Sequence, residues 1–173
     1  MGDAAPDVDA PSRLKAFFAT VQRLNREGRI LAYHDRSDGG LFVTLCEMMF
    51  AGHVGVSVEL DELCFAYQAE ASNASEVASL LAVLFNEELG AVLQVRRADT
   101  PAVMEAFFAA DLRAAFHVIG GLNGDDALRL ERAGTPVFEE RRVALQRAWS
   151  ETTFHMQRLR DNPDCARQEY DRL

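Results

Sequence analysis

The chain has 173 residues, 49% of them hydrophobic, with 18 basic and 27 acidic side chains and a net charge of −9. That suits one compact domain with a tail, and the acidic balance argues against a nucleic-acid footprint, which needs a basic face toward phosphates. No stretch approaches the roughly 20 apolar residues of a membrane-spanning helix. Cys46, Cys64 and Cys165 are scattered and form no C-x-x-C pair, which fits a reducing compartment rather than a disulfide scaffold.

The acidic start, MGDAAPDVDAPS, lacks an apolar core and reads as a solvated leader rather than a signal peptide. Over residues 12–27, Leu14, Phe17, Phe18, Val21 and Leu24 fall on one face of an amphipathic helix, with Ser12 as a candidate cap and Gly28 as its end. Ile30–Tyr33 reads as a short buried strand. A second helix is expected from Gly40 to about Ala51, burying Leu41, Phe42, Leu45, Met48 and Met49, with Cys46 as a buried free thiol; Gly52 and His53 break it. Val54, Val56, Val58 and Leu60 alternate as in a half-buried strand.

The stretch 61–74 is ambiguous, and EASNAS reads as a loop carrying a capping residue. A helix is expected over 75–85 with Val77, Leu80, Leu81 and Leu84 on one face, a strand over about 91–96, and a helix over 101–109 carrying Val103, Met104, Phe107 and Phe108. Phe116–Ile119 reads as a strand and GGLNGDD as a turn cluster. Leu128 and Leu130, with Val137 and Phe138 across Gly134, suggest a hairpin. A long polar helix from about Glu140 to Leu159 and a charged, Pro-interrupted tail that looks like a linker complete the chain. Helices and strands interleave without a strict β-α-β rhythm, which predicts an α+β fold, a mixed β-sheet with helices packed on it.

One stretch concentrates chemistry. HDRSDGG, residues 34–40, stands where a strand passes into a helix, so its polar groups lie at a strand's carboxyl end. Ser37 or Asp38 is a candidate N-cap, and Gly39 and Gly40 leave first-turn amides uncovered toward an anion, helped by the helix dipole. A carboxylate here would repel a bare phosphate but hold Mg²⁺, which prefers oxygens and bridges to phosphates. Asp35 as metal ligand with Ser37 as phosphate donor is therefore one reading, with His34, Asp38, Gly39 and Gly40 in support. The other is an ordinary turn and cap. The motif is not a P-loop, and no Ser-His-Asp, HExxH or Cys-His signature is present. Asn86, Glu87 and Glu88 read as a solvated turn. His53, His117 and His155 show no ligand spacing, and the arginines from Arg141 to Arg160 read as a solvated or interdomain face.

LAYHDRSDGGLFVTLCEMMFAGHVG, LFNEELGAVLQV and WSETTFHMQRLRDNPDCA together resemble the large, single-chain phosphoribosylformylglycinamidine synthases, specifically the C-terminal part of their second synthetase half. They also resemble the wider superfamily of aminoimidazole ribonucleotide synthetase C-terminal domains. The resemblance weakens over 61–75 and 98–135. It implies a mixed sheet with helices on one side, partly ferredoxin-like, over 13–150, after a leader at 1–12, with 151–173 leading toward a glutaminase domain. It implies a cytoplasmic ligase that converts formylglycinamide ribonucleotide, ATP and glutamine to the amidine, ADP, phosphate and glutamate. Its cofactors would be Mg²⁺ and ATP or ADP. Asp35 would match a family Mg²⁺ ligand and Ser37 a nucleotide contact, in a site shared with other domains of the parent chain. In this second half the nucleotide would be auxiliary, with turnover chemistry at the pseudo-symmetric site. No residue here is expected to be catalytic, Cys165 is not a glutaminase nucleophile, and the chain by itself is expected to be inactive. The competing expectation is a purely structural interdomain module with no ligand role.

Overall fold

A computed structural model describes residues 7–8, 10–70 and 75–173. In chain order the elements are α1 (Pro11–Arg26), β1 (Ile30–Asp35), α2 (Gly40–Gly52), β2 (Gly55–Glu59), α3 (Asp61–Glu70), α4 (Glu76–Phe85), β3 (Ala91–Val95), α5 (Thr100–Ala109), β4 (Gly120–Asn123), β5 (Ala127–Arg132), β6 (Thr135–Arg141), α6 (Arg142–Arg160) and α7 (Pro163–Tyr170). The class is mixed α+β, and the strands divide between two sheets. The chain forms two compact units, Met1–Leu45 with Glu62–Ile119 and Cys46–Asp61 with Gly120–Leu173. Among the described residues no helix is long and apolar enough to cross a membrane.

In the first unit β1 pairs antiparallel with β3, Tyr33 opposite Leu93 and Asp35 opposite Ala91, with an irregularity between Ile30 and Ala32. The core gathers Val21 and Leu24 from α1, Val103, Ala106 and Phe107 from α5, and Leu112; Phe17, Ile30, Leu93, Val95 and Phe116 pack around it. Helix α1 starts without the expected Ser12 cap. Ala10 holds the cap position with no side-chain bond, and Pro11 opens the helix, where its missing N–H costs nothing. Of the expected α1 face only part is covered: Leu14 and Phe18 are exposed. Strand β1 is longer and less buried than expected, alternating between half-buried and exposed residues up to Asp35. In α4 the buried side is Ser79, Val83 and Leu84, while Val77 and Leu81 face solvent. Ser75 is the capping residue expected near that loop, its Oγ accepting the Ala78 N–H at 3.2 Å; the rest of the expected loop, 71–74, lies outside the described residues.

The second unit holds a four-stranded sheet of order β4-β2-β5-β6, with β2 and β5 parallel and the other neighbours antiparallel. Its inner positions are Val58, Leu128 and Leu130. The hairpin β5–β6 stands where the alternation put it. Phe116–Ile119 is not a strand; the strand is β4, inside the expected GGLNGDD turn, and only Gly124–Asp126 turns. The reason is close approach: a Cβ on Gly120 would collide with Ser57 O of β2, so glycine lets β4 pair there. Phe116 serves instead as an aromatic plug, its ring 5.4 Å from that of Phe107. The charged tail is helical. Asn162 caps α7 by accepting the Asp164 and Cys165 N–H groups, and Tyr170 stacks on Phe154 of α6 at 4.4 Å. Cys46 and Cys64 are buried free thiols and Cys165 is exposed.

Candidate functional site

The polar stretch sits at the end of β1 and the start of α2, as its sequence suggested, but a second segment builds it. Because β1 pairs with β3, the loop 86–90 ahead of β3 lies beside the turn 36–39. Arg36 laces the two: its backbone N–H donates to Gly90 O at 2.8 Å and its Nε to Glu88 O at 2.6 Å. Burial holds the Arg36 guanidinium below its ordinary pKa, and the Glu88 charge opposes that shift. Gly40 is pressed against the same loop. Its φ is +66°, and a Cβ would stand 2.6 Å from Asn86 O and 2.7 Å from Leu84 O, so no other residue fits without backbone movement.

Hydrogen bonds at the helix start are partly used within the chain. The Gly39 N–H donates to Glu87 Oε1 at 2.9 Å and the Gly40 N–H to Ser37 O at 2.9 Å. Buried Thr44 donates its hydroxyl to Gly40 O at 2.9 Å, which ties the first turn to the second. A carboxylate thus rests where the helix dipole favours negative charge. Of the first-turn amides expected to be open toward an anion, that of Gly40 is engaged, as is the Gly39 N–H just before it, and Glu87, read from sequence as part of a solvated turn, is what engages Gly39.

Asp35, Ser37 and Asp38 are exposed, and His34 is half-buried with Nδ1 2.7 Å from Asp35 O. A carbonyl oxygen only accepts, so Nδ1 carries the proton in that contact. Tyr33, on the same strand, has its hydroxyl pKa raised by burial and then by the Asp35 charge. The donor types suit a hard cation and a phosphate: one carboxylate at Asp35 and one hydroxyl at Ser37. The donor number does not suffice, since Mg²⁺ demands near-octahedral oxygen coordination, and among the described residues no group of three or more His, Cys, Asp or Glu side chains could hold a metal ion. Asp35 and Ser37 stand instead as two exposed donors on one turn. Sequence reading missed Arg36 and Glu87 as its builders; their signal is tertiary, from a strand pairing that joins residues 30–35 to 91–95.

Residues 2–132 match the family described as AIR synthase related protein, C-terminal domain. Among solved structures, Thermotoga maritima PurL complexed with FGAR has a similar fold, with a TM-score of 0.61 at 19% identity over 76% of this chain and 20% of that one. The same protein complexed with ATP gives 0.63 at 19% identity, over 79% and 22%. Phosphoribosylformylglycinamidine synthase II from Thermotoga maritima gives 0.61 at 17% identity, over 77% and 21%. This chain therefore spans about a fifth of the length of the proteins it resembles, and at such identity the likeness is one of fold. The family match covers three-quarters of the sequence and takes in both the polar turn and the β5 strand, and on it the chain belongs to the AIR synthase related protein, C-terminal domain family.

Proposed function

We propose that this chain is the C-terminal part of a synthetase half in a phosphoribosylformylglycinamidine synthase, where it contributes one edge of a magnesium–nucleotide site. The parent would be a glutamine-dependent C–N ligase of purine biosynthesis, with the other synthetase parts and a glutaminase domain as this unit's neighbours. The observation that carries the reading is the exposure of both Asp35 and Ser37 where β1 gives way to α2. The fold likeness supports it, because the Thermotoga maritima protein has been solved with ATP, ADP and AMPPCP. Bound at this edge, a magnesium ion would neutralise charge between a carboxylate and a phosphate. Asp35 would supply one of its oxygens and Ser37 a hydrogen bond to the nucleotide. Arg36 and Gly40 act as positioning residues, holding the turn against the 86–90 loop. A reducing, cytoplasmic setting accords with the buried free thiols Cys46 and Cys64.

The test is Asp35→Ala in the full-length parent. The expected result is loss of the magnesium-dependent rise in Tm on adding ATP or ADP, with Ser37→Ala weakening it less. An unchanged response to magnesium and nucleotide would overturn the proposal. The 173-residue chain alone should form no amidine and should bind Mg-ATP more weakly than micromolar by calorimetry, because one edge makes too few contacts.

A second reading, a purely structural interdomain module, is favoured by one specific observation: Glu87 already satisfies the Gly39 N–H. On that reading Glu87→Ala in the parent lowers Tm while Asp35→Ala leaves nucleotide binding at the wild-type level.

A further inference from the structure

Two helices of the first unit carry apolar stripes that stay exposed among the described residues, and the charges around them are opposite. On α1, Leu14 and Phe18 are exposed at 44% and 63%, four residues apart on one face. Beside them runs an apolar groove of about 310 Å³ lined by Phe17, Phe18, Val21, Ile30 and Tyr33, with the Gln22 and Asn25 amides at its edge. The helix holds Arg13, Lys15, Arg23 and Arg26 and no acidic residue. Lys15 and Arg26 are eleven positions apart, about three turns, so they flank the stripe on one side.

On α4, Val77, Leu81 and Phe85 are exposed at 66%, 52% and 38% with a spacing of four, a ridge along the helix. The buried residues Ser79, Val83 and Leu84 hold the other side. Between Arg36 and Arg96 the sequence contains no lysine or arginine, and Glu76 at the start of α4 with Glu87 and Glu88 after its end make the ends of the ridge acidic.

From this we infer that α1 of one copy of this chain packs against α4 of a second copy, the Val77–Leu81–Phe85 ridge lying in the α1 groove. An amphipathic helix laid in an apolar groove is read by anchors at such spacing. Charge complementarity argues for the partner. A chain of net charge −9 repels its own copies in general, so attraction requires a locally basic surface, such as that of α1, facing a locally acidic one. Both surfaces belong to this chain, and neither involves Asp35 or Ser37, so the inference stands or falls apart from the nucleotide reading.

Sedimentation velocity on the 173-residue chain, from about 10 µM to about 1 mM, tests it. The expected result is concentration-dependent self-association that weakens when salt rises, since exposed pairs are screened beyond about 8 Å at physiological ionic strength. A variant carrying Lys15→Glu with Arg26→Glu, and a second variant carrying Leu81→Lys, should each associate about tenfold more weakly or not at all. Mixing the two should restore association, because the intact α1 of one then meets the intact α4 of the other. All three positions are on the surface; if Leu81→Lys alters the circular dichroism spectrum, Val77→Lys repeats the test. A wild-type chain that stays monomeric, association that survives unchanged in either variant alone, or a mixture that does not associate would each overturn the inference. The second of these outcomes would point to another face, such as Trp149 and Met156 on α6.

Discussion

Replacing Gly40 with alanine probes the joint on which the whole polar turn rests. Two costs add. A residue with a Cβ held at φ +66° is in the left-handed region, which costs about 1–2 kcal/mol. The new Cβ would also stand 2.6 Å from Asn86 O and 2.7 Å from Leu84 O. These are backbone atoms with no rotamer to turn away, so relief requires moving the 84–86 segment, an overpacking cost of about 1–3 kcal/mol. The expected loss is about 2–5 kcal/mol, and at about 2–4 °C per kcal/mol for a chain of this size Tm falls by about 4–20 °C. Gly28→Ala supplies the control. Its φ is +68°, nearly the same, and nothing lies within 4 Å of the added Cβ, so it isolates the conformational cost, at about 1–2 kcal/mol. Urea unfolding of both variants gives the comparison. If Gly40→Ala costs no more than Gly28→Ala, the contact between the turn and the 84–86 backbone is not what demands glycine, and the account of the site's construction fails.

Further measurements bear on the rest of the molecule. Glu59 stands beside Glu131 on the parallel strands, and a hydrogen bond with Glu131, then burial and the charges of Glu131 and Asp61, raise its pKa. A raised acid pKa means stability that is fully present below the ordinary carboxylate range and lost as pH rises through the raised value. Calorimetry should therefore find Glu59→Gln more stable than wild type at about pH 7 and little different at about pH 4; equal stability at both would refute the coupling. Burial, with Glu47 adding, pushes the Cys46 thiol up to about 12. A thiol reagent at about pH 8 should thus modify Cys165 quickly and leave Cys46 and Cys64 unreacted until denaturant is added. Arg142 is buried and forks onto Asp126, Nε to Oδ1 at 2.6 Å and Nη2 to Oδ2 at 3.1 Å, while Nη1 donates to Gln146 at 2.7 Å. Arg142→Ala should cost about 2–4 kcal/mol in urea unfolding. Arg142→Lys should recover little of it, because an ammonium lacks the fork; full recovery would show that charge alone matters there.

Local signals carried much of the architecture. The three- and four-residue spacing of apolar side chains located α1, α2 and α5, and the alternation at Leu128 and Leu130 with the Gly134 turn located the β5–β6 hairpin. The DGG turn and the following apolar run located the join between β1 and α2. Such features depend on backbone preferences and on neighbours within a few residues, which the order of amino acids states directly. Which side of a helix is covered does not: Leu14, Phe18, Val77 and Leu81 have the right period and remain exposed, because coverage depends on partners from distant parts of the chain.

The site divides in the same way. Asp35, Ser37, Gly39 and Gly40 announce themselves by residue type at a strand–helix junction. Glu87 reaches the Gly39 N–H across 48 positions, and Arg36 reaches the Glu88 carbonyl across 52. Those contacts exist only because β1 pairs with β3, an arrangement set by how the apolar sides of α1, α5 and both strands bury one another. The amino-acid order thus determined which chemical groups stand at the turn, and the tertiary fold decided which of them are spent on holding it closed. The reason is that a carboxylate and an amide have no preference for each other until packing brings them within hydrogen-bonding distance and takes water away.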